Sequence, residues 1–284
     1  MSLAEPSRAR GAIFNPLASG QGWSVGDFIC DAGPGDAPFE ERHDAVSIAA
    51  VLAGVFSYHS DGGRALLHPG TILLGNAGAC YCCRHDHGAG DRCLSARVAP
   101  ELFAEMAATY AGSSRFRFPA VMLPARRALL PRSVSLARAV LQRDPCGAEE
   151  DVLRWVASMI SDLAGEPFSA AGVSAQDERR IGRVLRYMER RSDQRLDLDG
   201  LAGVAAMSKF HFLRVFHRVT GMTPHQYLIG TRLRQAAGRL GSGGDSISSI
   251  AFATGFGDLS TFNAAFRSLF GMSPGAFRRL RRSP

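Results

Sequence analysis

Between positions 80 and 93 the chain runs Cys80-Tyr81-Cys82-Cys83-Arg84-His85-Asp86-His87-Gly88-Ala89-Gly90-Asp91-Arg92-Cys93, gathering four thiols and two imidazoles. Side chains alternate along an extended strand, so Cys83, His85 and His87 would share one face. The Gly88-Ala89-Gly90 stretch can reverse the chain and return Cys93 beside them, while Cys80 and Cys82 face the other way. Two thiolates and two imidazoles at that spacing suit a tetrahedral zinc ion or another borderline-soft metal. Two other readings stay open. Buried cysteines and hydrogen-bonded histidines can simply pack a strand. Thiols beside Arg84, Arg92 and a protonated histidine would have lowered pKa values and could sense oxidants or electrophiles.

The elements that must position this cluster read as short strands. Val46, Ile48, Ala50 and Leu52 alternate with Ser47, Ala49 and Val51, Asp61-Gly62-Gly63 and Pro69-Gly70 mark turns, and the segment before them shows little periodicity. From Pro100 the period becomes helical, with Leu102, Phe103, Met106 and Tyr110 at one spacing and Val152, Trp155, Val156, Met159, Ile160 and Leu163 forming a broad stripe. The expected fold class is α+β. An antiparallel β domain with trailing helices spans 1–165, a Gly/Pro/Ser/Ala-rich linker 166–176, and an all-helical domain 177–284.

Charge follows that division. Residues 176–284 carry 17 Arg and one Lys against eight acids, a net of +10, whereas residues 1–175 are at −3, so the whole chain's +7 belongs to the helical half. A basic domain beside a slightly acidic one reads as a polyanion-binding unit with a separate partner domain. No run of 18 apolar residues and no basic-then-apolar start is present, so a cytoplasmic protein that does not enter membranes is expected, with reduced thiols rather than disulfides.

The helical half repeats itself. Phe212, Phe216 and Gly221-Met222-Thr223-Pro224 return as Phe262, Phe266 and Gly271-Met272-Ser273-Pro274, and Leu201-Ala202 returns as Ile250-Ala251 one residue out of step. The extra residue falls where Met207-Ser208 faces Gly255-Phe256-Gly257-Asp258. A short apolar helix, a tight turn, a second helix, then glycine and a Pro-started helix is the order a helix-turn-helix requires. Helices are expected over 198–205, 208–220, 224–240, 247–254 and 260–270. Thr223-Pro224-His225-Gln226 reads as a capping box that starts the connecting helix, a rigid spacer for two recognition helices roughly 34 Å apart in successive major grooves of double-stranded DNA.

If Phe212 and Phe216 face the core, Phe210, Arg214 and His217 occupy the opposite side, flanked by Leu213 and Arg218. Arg214 can bond guanine through two acceptors and Phe210 can meet a thymine methyl, or else pack into the core; Lys209 and Arg218 suit phosphates. The same construction in the second copy exposes Ser260, Asn263, Ala264 and Arg267, with Thr261 and Ser268 at the margins. The first unit should therefore supply more base specificity and the second more positioning.

The repeat, with Ala251-x-x-x-Gly255-Phe256, Phe262-x-x-x-Phe266-x-x-x-Phe270-Gly271 and the Gly-Met-Ser-Pro-x-x-Phe-Arg ending, resembles the AraC/XylS family of bacterial transcription regulators over about residues 178–283. The resemblance implies DNA contact through two helix-turn-helix units, at Phe210, Leu213 and Arg214 and at Ser260, Asn263 and Ala264. It also implies action on RNA polymerase, and an N-terminal cupin-like barrel that senses an effector and mediates dimerisation. The short strands, His43 and the His-x-His element resemble such a cupin. Ala264 departs from the polar or basic residue common at its position. Two other classes compete: a cupin-type metal-dependent enzyme tethered to DNA, which the cysteine-rich surroundings fit poorly, and an architectural protein without sequence preference. A regulator without catalytic residues is the leading expectation.

Overall fold

A computed structural model describes residues 12–34, 36–38, 40–85, 90–124, 145–164, 174–242 and 244–282. They form two compact units, one built from the residues up to 124 together with 145–164, the other from 174 onward.

The first unit is two antiparallel sheets. One has the order β1 (Ala12–Gly20), β2 (Trp23–Cys30), β9 (Asp91–Val98), β4 (Val46–Ala53), β7 (Ile72–Gly75), β10 (Met122–Leu123). The other has β3 (Glu40–Arg42), β8 (Cys80–Arg84), β5 (Phe56–Ser60), β6 (Gly63–Leu67). Within the opening segment that lacks periodicity, residues 12–30 form a long β1–β2 hairpin. Its alternation is hidden for two reasons: the register slips between Pro16 and Ala18, and Trp23 to Gly26 are buried on both faces of the sheet. Helix α1 (Pro100–Ala111) buries Phe103, Met106 and Ala107, but Tyr110, expected on that face, is exposed. Helix α2 (Pro145–Ala164) buries the whole expected stripe from Val152 to Leu163.

The second unit is helical: α3 (Ala175–Arg190), α4 (Leu198–Ala205), α5 (Lys209–Thr220), α6 (Pro224–Ser242), α7 (Ile247–Ala253), α8 (Leu259–Phe270) and α9 (Pro274–Arg282). Helix α3 starts at Ala175, inside the span expected as linker, because the Ser174 hydroxyl caps it by accepting from Asp177 N at 3.0 Å; positions 166–173 lie outside the described residues. The capping box forms as read: Thr223 N donates to Gln226 Oε1 at 3.0 Å and Gln226 N to Thr223 Oγ1 at 3.2 Å. Gly221 and Gly271 end α5 and α8 with φ of 71° and 68°.

The two turns explain the single inserted residue of the repeat. In the first, Ala206 takes φ 50° and Ser208 directly precedes α5. In the second, Gly255 takes φ 89°, and Gly257 is the extra residue before Asp258, whose carboxylate caps α8 by accepting from Thr261 N at 2.7 Å. The first turn is thus made at a position where L side chains are strained, the second with the residue suited to it.

Candidate nucleic-acid interface and thiol-lined cavity

Each helix-turn-helix is anchored by a buried phenylalanine pair. Phe212 and Phe216 lie edge to face at 5.4 Å with Tyr227 beyond them. Phe262 and Phe266 sit 5.6 Å apart within a cluster that includes Leu233, Leu240, Ile250, Phe256 and Phe277. Anchoring one side of a helix in this way leaves its far side to solvent. On α5 that side carries Arg214, His217 and Arg218, all exposed, with Leu213 half-buried. On α8 it carries Ser260, Thr261, Ala264, Arg267 and Ser268, all exposed, with Asn263 half-buried. The Phe210 side chain lies outside the described residues.

Two features of these faces were not apparent in the sequence. Lys209 is ion-paired with Asp199 of α4 at 2.7 Å. Arg214 donates from Nη2 to His211 Nδ1 at 3.1 Å, so His211, one helical turn before it, orients the guanidinium. The i,i+3 spacing was the available signal.

Within the helical unit, α6 is tied to the end of α3 and the turn after it by polar bonds as well as apolar packing. Tyr227 Oη donates to Glu189 Oε1 at 3.1 Å, and Arg232 donates to the carbonyls of Ser192 at 2.6 Å and Gln194 at 2.9 Å. Burial raises the pKa of Glu189 despite the lowering influence of Arg234, and burial lowers that of Arg234. These groups fix α6 against the end of α3 and the turn that follows it.

In the first unit a cavity of about 430 Å³ has Cys83, His85 and Cys93 in its wall. His87 lies outside the described residues. Among the described residues, the potential ligand atoms that come together as a set are those of Cys30, His85 and Asp91, all buried and all within 4.8 Å of one another. His85 Nε2 lies 2.7 Å from Asp91 Oδ2, and the Cys93 thiol donates to Asp91 Oδ1 at 3.6 Å. Cys30 and Asp91 are cross-strand partners on β2 and β9, whereas His85 follows β8 of the other sheet and stacks on Phe56 at 5.6 Å. Gly90 permits this approach: its φ is 75°, and a Cβ there would come within 2.8 Å of the Cys30 carbonyl.

Cys83 and Cys93 are not set up as reactive thiolates. Burial, then the Asp91 carboxylate, raises the pKa of both Cys83 and Cys93. Arg92, expected as their cationic neighbour, falls between buried Asp91 and Cys93 on the opposite face of β9, where it is clamped to Asp27 by bonds of 2.6–2.9 Å. Burial lowers the His85 pKa, but the bonds to Asp91 and Cys30 outweigh this and bring it to about 9. Cys30, Cys80, Cys82, Cys83 and Cys93 are free thiols.

His43 borders the same cavity, stacked on Tyr81 at 4.2 Å with its Nε2 2.8 Å from the Tyr58 hydroxyl. Burial, with a contribution from Arg97 and against that of Asp44, lowers its pKa from 6.5 to about 4. The folded chain therefore binds fewer protons at this site than the unfolded chain, and stability falls as pH drops from 6.5 towards 4. The expected contribution is a loss of about 2 kcal/mol between pH 7 and pH 5. Both tryptophans of the sequence, Trp23 and Trp155, are buried in this unit, so thermal melts followed by tryptophan fluorescence in the whole protein report on it. The wild type should lose stability over that interval and a His43→Asn variant should show a flatter profile; parallel profiles would contradict the assignment.

A family model described as a helix-turn-helix domain matches residues 201–280. The MmsAB operon regulatory protein of Pseudomonas aeruginosa is 33% identical over 93 residues, 33% of this chain and 30% of that protein. The transposon Tn10 TetD protein of Escherichia coli is 35% identical over 96 residues, 34% of this chain and 70% of that protein. Among solved structures, the DNA-binding domain of the global transcriptional factor AdpA in complex with a target DNA shares 31% identity, covering 36% of this chain and 93% of that one, with a TM-score of 0.35. The chain belongs to the AraC/XylS family of transcription regulators, and its basic helical half carries the DNA-binding helix-turn-helix domain. It spans only 30% of the length of the Pseudomonas regulator, against 70% of the TetD protein. Among the described residues no helix is long and apolar enough to cross a membrane.

Proposed function

We propose that this protein is a sequence-specific transcription regulator of the cytoplasm that inserts α5 and α8 into successive major grooves and answers to a signal received in the cavity of its β unit. The observation that carries this reading is the duplicated construction, with two helices each anchored by a buried phenylalanine pair and each keeping its polar face free, joined by the 19-residue α6. At about 1.5 Å per residue α6 extends nearly 30 Å, of the order of one turn of the duplex. In this reading Phe210, Leu213, Arg214 and His217 meet base edges, Lys209 and Arg218 meet phosphates, and Ser260, Thr261, Asn263, Ala264 and Arg267 position the second unit. RNA polymerase, a second copy of the chain and a small effector are the partners proposed with it, and no catalytic role is assigned.

Arg214 and Arg267 separate specificity from positioning. Arg214→Ala should cost roughly 1–3 kcal/mol at a single base pair and relax the preference there. Arg267→Ala should weaken all duplexes alike and reduce the salt slope by about one. Quantitative binding across single-base variants of a selected site, at several salt concentrations, checks both; uniform weakening by Arg214→Ala would reassign that residue to phosphate.

A further inference from the structure

We propose that Cys30, His85 and Asp91 form a binding site for one zinc-class divalent cation in the wall of the β-unit cavity, with the fourth coordination position open to that cavity. This specifies the signal site of the regulator and rests on reading the β unit as its sensor. Of the four ligands that the local sequence singled out it keeps His85 and takes Cys30 and Asp91 rather than Cys83 and Cys93, while His87 lies outside the described residues.

The donor set defines the ion. One thiolate, one imidazole and one carboxylate suit zinc and its borderline relatives, whereas magnesium and calcium require oxygen ligands throughout. Tetrahedral zinc, with bonds of roughly 2.0–2.3 Å, holds its ligand atoms about 3.3–3.8 Å apart. The three atoms here lie within 4.8 Å of one another, and the separation of 2.7 Å between His85 and Asp91 needs to open by only about 1 Å. Side-chain rotation supplies such shifts without moving a strand.

The surroundings hold these ligands in place. Phe56 fixes the plane of the His85 ring, and the Cys93 thiol donates to the Asp91 oxygen that does not face His85. Both are the outer contacts that orient metal ligands. A smaller recess, lined by Cys30, Cys83 and His85 among others, borders the same side chains and gives an ion access. An ion bound here would tie the β2–β9 pair of one sheet to the end of β8 in the other. It would also present its fourth position to water or to a donor atom of a small molecule in the cavity.

The test uses the full chain, purified under reducing conditions, stripped with chelator and titrated with Co²⁺ and then Zn²⁺. One Co²⁺ per chain should bind with thiolate-to-cobalt charge-transfer absorption and the intense visible bands of tetrahedral geometry, and one Zn²⁺ should displace it. Cys30→Ser should abolish the charge-transfer band. His85→Gln and Asp91→Asn should weaken binding at least about 10-fold, a loss of the size that even outer contacts produce. Cys82→Ser, on the other face of β8, should change nothing. A band that survives Cys30→Ser and disappears in Cys93→Ser would overturn the assignment. So would a wild-type chain that binds well under one equivalent, and this readout stands even if Cys30→Ser fails to fold in the tryptophan melt. DNA binding is measured on the same preparations: specific binding without metal uptake defeats this site alone, whereas metal uptake without any DNA preference defeats the regulator reading instead.

Discussion

Replacing Gly255 with valine should dismantle the second helix-turn-helix and leave the first intact. Gly255 adopts φ 89°, and a Cβ there would lie 2.9 Å from both the Asp193 carbonyl and Arg232 Nε. Two costs combine. A β-branched residue at positive φ is strained by about 1–3 kcal/mol. Making room for it would also displace Arg232, whose guanidinium bonds the Ser192 and Gln194 carbonyls. Footprinting should show loss of the half-site read by α8, while tryptophan fluorescence, confined to the β unit, remains that of the wild type. Gly255→Ala should show the strain with less of the clash. Full protection by the valine variant would mean that the turn relaxes without cost.

Phe216→Ala should have the larger functional effect. Phe216 is fully buried and packs edge-on against both Phe212 and Tyr227. Truncating a buried phenylalanine costs about 3–5 kcal/mol, the lost transfer energy plus the cavity left behind. That cost falls on the unit whose exposed face carries Arg214, His217 and Arg218. Sequence-specific binding should disappear altogether, with only weak, salt-sensitive association remaining. Phe216→Leu, which refills much of the volume, should recover most of the affinity. Equal loss in both variants would point to a direct role for the aromatic ring rather than to packing.

The helical half was legible because its determinants are local. Phenylalanines four residues apart set which face of each helix is buried, the Thr223–Gln226 box starts α6 within four residues, and Gly255 marks the left-handed turn by its chemistry. The β unit was legible in class but less so in detail. Its first hairpin lacks alternation because a bulge and a doubly buried segment interrupt it. Of the cation site proposed above, His85 was legible locally, but its partners are set by cross-strand register. Asp91 stood within the cysteine-histidine segment without a thiol or an imidazole to mark it. Cys30, far back in the chain, is opposite Asp91 only because β2 pairs with β9. No spacing rule within one strand reaches such a residue. His211 escaped notice for a smaller reason: it acts on Arg214 rather than by itself.

In the proposed function two unequal recognition helices read one duplex. Selection of binding sites from random duplex DNA by the full-length protein at fixed salt tests it most directly. The selected sequences should contain two blocks about 10–10.5 base pairs apart, centre to centre. The block read by α5 should be the more sharply defined, and Arg214→Ala should blur one position within it. Selection of no common sequence, or of a single block unaffected by Gly255→Val, would contradict the account.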